Sequence, residues 1–148
     1  KTEVYFEAVA AALAKGRQAL ILLPEIALTG QFLQRFEARF GCRPAELHSG
    51  LSTKWRKRVW RAVADGTAKA VVGARSALFL PYPDLGLIVV DEEHESSFKQ
   101  NDKAPRFHGR DAALMLGKFW NAQVILGSAT PSIESMHASL ENKYKLVT

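Results

Sequence analysis

Short, uninterrupted apolar runs recur along this 148-residue chain, and most are followed by a segment with helical spacing. Runs of about five residues bounded by turn formers suit strands buried on both faces, since a half-buried strand alternates apolar and polar residues. Residues 19–23 and 87–91 read as such strands, and 45–48, 69–73 and 122–126 as further strands. Residues 2–14 read as a helix with Val4, Ala8, Ala11 and Ala12 on one side. Thr29 is placed to cap a second helix, with Leu28 and Leu33 at the two positions of a hydrophobic staple. That helix carries Phe32, Leu33, Phe36 and Phe40 at helical spacing and ends at Gly41. Ser52 opens a third, with Trp55, Val59 and Val63 expected on its inner face, and residues 109–120 form a fourth. Thr130 before Pro131 opens one more. The repeated β-then-α order predicts a single α/β domain over residues 1–148, a parallel sheet with helices on both faces.

In such sheets ligands bind beyond the carboxyl ends of the strands, and the unusual polar residues of this chain lie just after strands. The apolar run 86–90 ends in Asp91-Glu92-Glu93-His94. Like charges packed together recruit a cation or shift one another's protonation. Asp91, at the strand tip, suits hydrated Mg²⁺, and Glu92 suits orienting and deprotonating a water for attack on phosphate. His94-Glu95 begins the H-E-x-x-H zinc pattern, but Phe98 stands where the second histidine belongs. Lys1-Thr2 opens a helix and matches the last two positions of G-x-x-x-x-G-K-[ST], in which the lysine reaches the β- and γ-phosphates and the hydroxyl binds Mg²⁺. The glycines of that motif are not among these residues. Gly127-Ser128-Ala129-Thr130-Pro131 follows another strand and offers Ser128 and Thr130 as sensors of phosphate, with a helix cap as the alternative role for Thr130. The G-x-S-x-G spacing of a serine nucleophile fails at Thr130.

Composition narrows the setting. No apolar run approaches the ~18 residues that cross a bilayer, and no segment has the pattern of a secretory signal. The single cysteine, Cys42, excludes an internal disulfide and is expected to be a small core thiol in a cytoplasmic protein. A net charge of +5 is compatible with a polyanionic partner. Five of the eight residues 54–61 are basic: Lys54, Arg56, Lys57, Arg58 and Arg61. They read as the solvated face of a helix, with a DNA-facing patch as the alternative, and Trp55, Trp60 and Trp120 read as packing residues. A first residue of lysine is expected to continue sequence upstream.

Six segments occur in order: Lys1-Thr2, residues 23–29 (LPEIALT), 48–52 (HSGLS), 73–79 (GARSALF), 91–94 (DEEH) and 127–132 (GSATPS). Together they resemble the N-terminal RecA-like motor lobe of superfamily 2 helicases, most closely the PriA family of bacterial replication-restart helicases. The resemblance covers essentially the whole chain, and residues 91–100 (DEEHESSFKQ) carry much of its specificity. It implies an ATP- and Mg²⁺-dependent DNA helicase of 3′→5′ type, with Lys1 and Thr2 ending the Walker A motif and Asp91 and Glu92 forming Walker B; the alternatives are a lobe of another superfamily 2 translocase and a non-catalytic module that keeps the fold for DNA or protein contacts. Lys1, Asp91 and Glu92 would be catalytic, Thr2 and Asp91 metal ligands, and His94, Ser128 and Thr130 would couple nucleotide to DNA. Thr29, Ser49, Gly50, Arg75 and Ser76 would face the DNA strand. Residues 95–108 resemble the aromatic-rich loop of PriA-like and RecQ-like helicases, in which Phe98 and Phe107 would stack on bases beside Lys99, Lys103 and Arg106. The resemblance further implies a second motor lobe with an arginine finger, a zinc element outside this segment, single-stranded or forked DNA as partner, and contacts with primosome and single-strand-binding proteins. The chain alone, without phosphate-loop glycines or a second lobe, is expected to be inactive.

Overall fold

Residues Gln18–Leu22 form β1, buried along its whole length as its uninterrupted apolar run requires. In this computed structural model, which describes residues 2–24, 27–91 and 109–127, β1 is the middle of a five-stranded sheet. Its neighbours are β3 (Ala70–Gly73) and β4 (Leu85–Asp91). Outside them lie β2 (Ala45–Leu47) and β5 (Gln123–Gly127), giving the order β2-β3-β1-β4-β5 with every pairing parallel. The chain runs outward from β1 to β2, returns through β3, then crosses β1 to β4 and β5. The strand order therefore reverses between β1 and β4, the position at which open α/β sheets form their crevice.

Alternation along the strands explains the two layers of helices. Ala19, Ile21 and Leu23 of β1 and its extension, with Leu87 and Val89 of β4, belong to one apolar cluster with α1 (Thr2–Ala14) and α2 (Gly30–Phe40). Leu20, Leu22, Ile88 and Val90 belong to the other, with α3 (Thr53–Ala64) and α4 (Gly109–Trp120). Phe6 of α1 meets Phe36 edge-to-face at 5.7 Å, and Phe36 is fully buried. A ring of this kind contributes about 1.5–3 kcal/mol through burial alone. Thr29 and Ser52 cap α2 and α3, their hydroxyls accepting from the backbone N–H groups of Phe32 and Trp55 at 3.4 and 3.3 Å.

Three expectations are corrected. The buried face of α1 is Tyr5, Phe6, Val9 and Ala12, whereas Val4 is 53% exposed and Ala11 is exposed. The two aromatic rings bury more area than alanines can, and they set the helix rotation. Trp55 and Trp60 are exposed, 53% and 52% respectively. α3 lies beside the three-residue edge strand β2, which leaves it little sheet to cover, and only Val63 is fully buried. Cys42 is exposed, just beyond the end of α2. The strands match the sequence reading within two residues at either end, and α1 and α4 match it fully.

The amino edge of the sheet is stitched by two side chains that hydrophobic patterning does not single out. Gln18 is fully buried, donating from Nε2 to the carbonyls of Val63 and Ala68 at 3.2 and 2.9 Å and accepting from the Asp84 N–H at 3.3 Å. Arg17 donates to Asp84 Oδ1 at 3.0 Å and to the carbonyls of Leu85 and Trp120 at 2.7 and 2.9 Å. The α3–β3 and α4–β5 turns and the entry to β4 are thus held, and the opposite edge carries the loops.

Candidate active site

Since all five strands are parallel, they end at one edge, and the segments that follow them share it. Thr29 lies beyond β1, Ser49 and Gly50 beyond β2, and Arg75 and Ser76 beyond β3. Asp91 is the last residue of β4. Alternation places Asp91 on the same face as Leu87 and Val89, the face covered by α1. There the Tyr5 hydroxyl donates to Asp91 Oδ1 at 2.7 Å. Tyr5 is buried in the first turns of α1, and Thr2, three residues earlier, lies on the same side of the helix. The start of α1 and the carboxyl end of β4 are therefore one junction.

Gly127 completes it. This residue ends β5 directly opposite Asp91 in the register, and a Cβ there would overlap the Tyr5 hydroxyl and ring. A residue without a side chain is the condition for Tyr5 to reach Asp91. Sequence reasoning passed over Tyr5. The available signal was the three-residue step from Thr2 together with strand alternation ending at Asp91. The junction fits a Mg²⁺–nucleotide group in its donor chemistry: a carboxylate and a hydroxyl supply the hard oxygen ligands that Mg²⁺ prefers. The start of a helix adds unpaired N–H groups and a partial positive charge that favour phosphate.

The other loops on this edge are braced by their own chain. The Gly50 N–H donates to His48 Nδ1 at 3.1 Å. The Arg56 guanidinium on α3 donates to the carbonyls of Ser49 and Leu51 at 3.0 and 3.2 Å. Beyond β3, the Ala74 N–H donates to the Leu47 carbonyl at 3.1 Å. A Cβ at Gly73 would come within 2.5 Å of that same oxygen, so glycine is needed for β2 and β3 to finish side by side. A short 3₁₀ helix, Arg75–Phe79, follows, with Arg75 half-buried and Ser76 exposed. The buried Tyr82 hydroxyl donates to the Ala77 carbonyl at 2.6 Å and holds this turn, and burial pushes its phenol pKa up.

Lys1, Glu92, His94, Phe98, Lys99, Lys103, Arg106, Phe107, Ser128 and Thr130 lie outside the described residues. Among the described residues no group of three or more His, Cys, Asp or Glu could hold a metal. Among them, too, no helix is long and apolar enough to cross a membrane.

Comparison with known proteins gives the site a context. The family model for DEAD/DEAH box helicases matches residues 1–138. Replication restart protein PriA of Chlamydia pneumoniae is 48% identical over 146 residues, covering 99% of this chain and 20% of that protein. The PriA of Bacillus subtilis is 45% identical over 148 residues, covering 100% of this chain and 18% of that protein. The chain thus spans about one fifth of the length of the curated relatives it matches. Among solved structures, the C-terminal domain of S. cerevisiae Dbp5 bound to Gle1 and IP6 superposes with a TM-score of 0.62 at 14% identity, over 91% of this chain and 75% of that one. The helicase domain of Pyrococcus furiosus Hef gives 0.59 at 20% identity, over 96% of this chain and 30% of that one. At such identities these two establish the RecA-like fold alone. Family match, fold and similarity along this chain to one fifth of PriA agree: this chain belongs to the DEAD/DEAH box helicase family.

Proposed function

We propose that this chain is one motor lobe of a longer, ATP-dependent DNA helicase that moves 3′→5′ along single-stranded DNA during replication restart in the bacterial cytoplasm. The observation that carries the reading is the Tyr5–Asp91 junction, which ties the helix begun by Lys1-Thr2 to the strand tip that precedes Glu92. In this reading Lys1 and the start of α1 bind the nucleotide phosphates, while Thr2 and Asp91 hold Mg²⁺, which supplies charge neutralisation when bound. Tyr5 orients the Asp91 carboxylate. Glu92 takes the proton of the attacking water, and His94, Ser128 and Thr130 relay the state of the phosphates to the DNA loops. Thr29, Ser49, Gly50, Arg75 and Ser76 share the carboxyl edge with Asp91, which supports one surface for sequence-independent contact with a strand's phosphates. A second lobe contributes the arginine that faces the nucleotide, so the 148-residue chain alone is expected to show no DNA-stimulated hydrolysis. Primosome and single-strand-binding proteins are partners of the longer protein.

Residues 95–108 follow Glu92 and His94 without a break, with Phe98 six and Phe107 fifteen residues after Glu92, so force on the loop is transmitted along the chain to the hydrolytic carboxylate. Base stacking is worth about 1–3 kcal/mol per base, enough to shift a two-state loop by an order of magnitude. In the full-length protein, Phe98→Ala or Phe107→Ala is expected to lower the DNA stimulation of ATP hydrolysis roughly tenfold, with the same affinity for nucleotide. Steady-state hydrolysis with and without oligo-dT reads this directly. Hydrolysis that ignores DNA in the unaltered protein would remove the motor reading, and full stimulation in both variants would remove the coupling role of the loop.

A further inference from the structure

The outer face of α3 has no role in the motor edge described above. At about 100° per residue, Lys54, Lys57, Arg58 and Arg61 fall on one stripe, opposite the buried Val63. All four are exposed, and they line an open groove of about 440 Å³ together with Thr53. The helix contains no acidic residue, and none of the four cations is ion-paired among the described residues. Like charges three and four residues apart repel, so the stripe carries a standing electrostatic cost that a polyanion would relieve. Trp55 and Trp60 project on the two flanks of the stripe, roughly 110° to either side, and both are more than half exposed. Arg58 stacks over the Trp55 ring at 4.7 Å from its centre. The stripe also joins the motor edge: α3 begins at the Ser52 cap, and Arg56 grips the Ser49 and Leu51 carbonyls of the loop before it.

We infer that the outer face of α3 is a binding track for the phosphodiester backbone of single-stranded nucleic acid, continuing the strand's path from the 48–51 loop down the side of the lobe. Cations in a row follow the phosphates, and the exposed indoles at the flanks give bases a surface on which to stack, a combination that suits a single strand of any sequence. Lys54 to Arg61 spans about 10 Å of helix, which matches at most about three phosphates of a strand kept stacked at the ~3.4 Å axial rise it has in a duplex. The inference rests on the DNA-motor reading but places contacts outside the loops that reading uses.

The test is oligo-dT binding to the 148-residue chain across a series of salt concentrations. Replacing Lys54, Lys57, Arg58 and Arg61 together by glutamine is expected to weaken binding on the order of ten- to a hundredfold near 0.1 M salt. The slope of log affinity against log salt is expected to become shallower by about 2. The charge-conserving variant Arg58→Lys/Arg61→Lys should keep the original slope, and Trp55→Ala should reduce the quenching of tryptophan fluorescence by oligo-dT. An unchanged affinity and slope in the four-fold variant, alongside weakened binding in Arg75→Ala/Ser76→Ala, would overturn the α3 track and leave the motor reading standing. Failure of the unaltered chain to bind oligo-dT would overturn the track, and DNA-independent hydrolysis by the full-length protein would separately overturn the motor. A duplex bound as tightly as the strand, or displacement by polyglutamate as effective as by oligo-dT, would also overturn it.

Discussion

Glu92→Gln in the full-length protein is expected to lower DNA-stimulated ATP hydrolysis by about 10²–10⁴-fold, the usual contribution of a positioned general base. Glutamine keeps the size and the hydrogen-bonding capacity of the side chain but cannot accept the water's proton. Affinity for the Mg²⁺–nucleotide complex should stay within a few-fold, because in the proposed division of labour the metal is held by Thr2 and Asp91. The pairing of an unchanged Kd with a collapsed kcat is the diagnostic result, since a variant that merely disordered the strand tip would lose both. Calorimetric titration with a slowly hydrolysed nucleotide, beside steady-state hydrolysis, separates the two. Equal losses in binding and turnover would show that Glu92 holds the metal or the fold instead.

The second large effect is expected at a position with no chemistry of its own. Gly127→Ala drives a Cβ into the Tyr5 hydroxyl and ring, and both sit in a packed layer with Phe6 and Val9 below them. Overpacking of this kind costs about 1–3 kcal/mol, and displacement of the Tyr5 hydroxyl from Asp91 forfeits a charge-assisted hydrogen bond of about 1.5–3 kcal/mol. Denaturant unfolding of the chain should therefore report a loss of about 2.5–6 kcal/mol. Tyr5→Phe removes the atom nearest the new methyl. The double variant Tyr5→Phe/Gly127→Ala should accordingly be less unstable than the sum of its two single changes, with a coupling of about 1 kcal/mol or more. Strict additivity would mean that the strain lies elsewhere.

The fold was largely legible in the sequence because the central strands β1 and β4 are buried on both faces and therefore read as continuous apolar runs, such as residues 87–90 before Asp91. The caps at Thr29 and Ser52 were legible because a hydroxyl before an amphipathic run has few other roles. Helix rotation was not. Alanine spacing in α1 pointed to a face that includes Val4 and Ala11, while the two largest side chains, Tyr5 and Phe6, turned the helix instead. Trp55 was placed on the inner face of α3 by its helical spacing with Val59 and Val63, and Trp60 was read as a packing residue. The extent of sheet beneath α3 decides that question, and a three-residue edge strand is not visible in the periodicity of the helix. The carboxyl-edge loops were identified by motif and order, and the parallel topology explains why segments so far apart in sequence converge. What no motif disclosed is the brace behind Asp91. Tyr5 is 86 residues away in sequence, and its role becomes visible only when β4, β5 and α1 are superimposed on one edge.

The central claim is that Thr2 and Asp91 form one metal–nucleotide site at the junction of α1 and β4. Mn²⁺ bound in place of Mg²⁺ can be followed by electron paramagnetic resonance in the full-length protein, with and without nucleotide. Nucleotide-dependent Mn²⁺ binding is predicted for the unaltered protein and for Glu92→Gln, and its loss is predicted for Asp91→Asn and for Thr2→Val. Undiminished nucleotide-dependent Mn²⁺ binding in Asp91→Asn would contradict the claim.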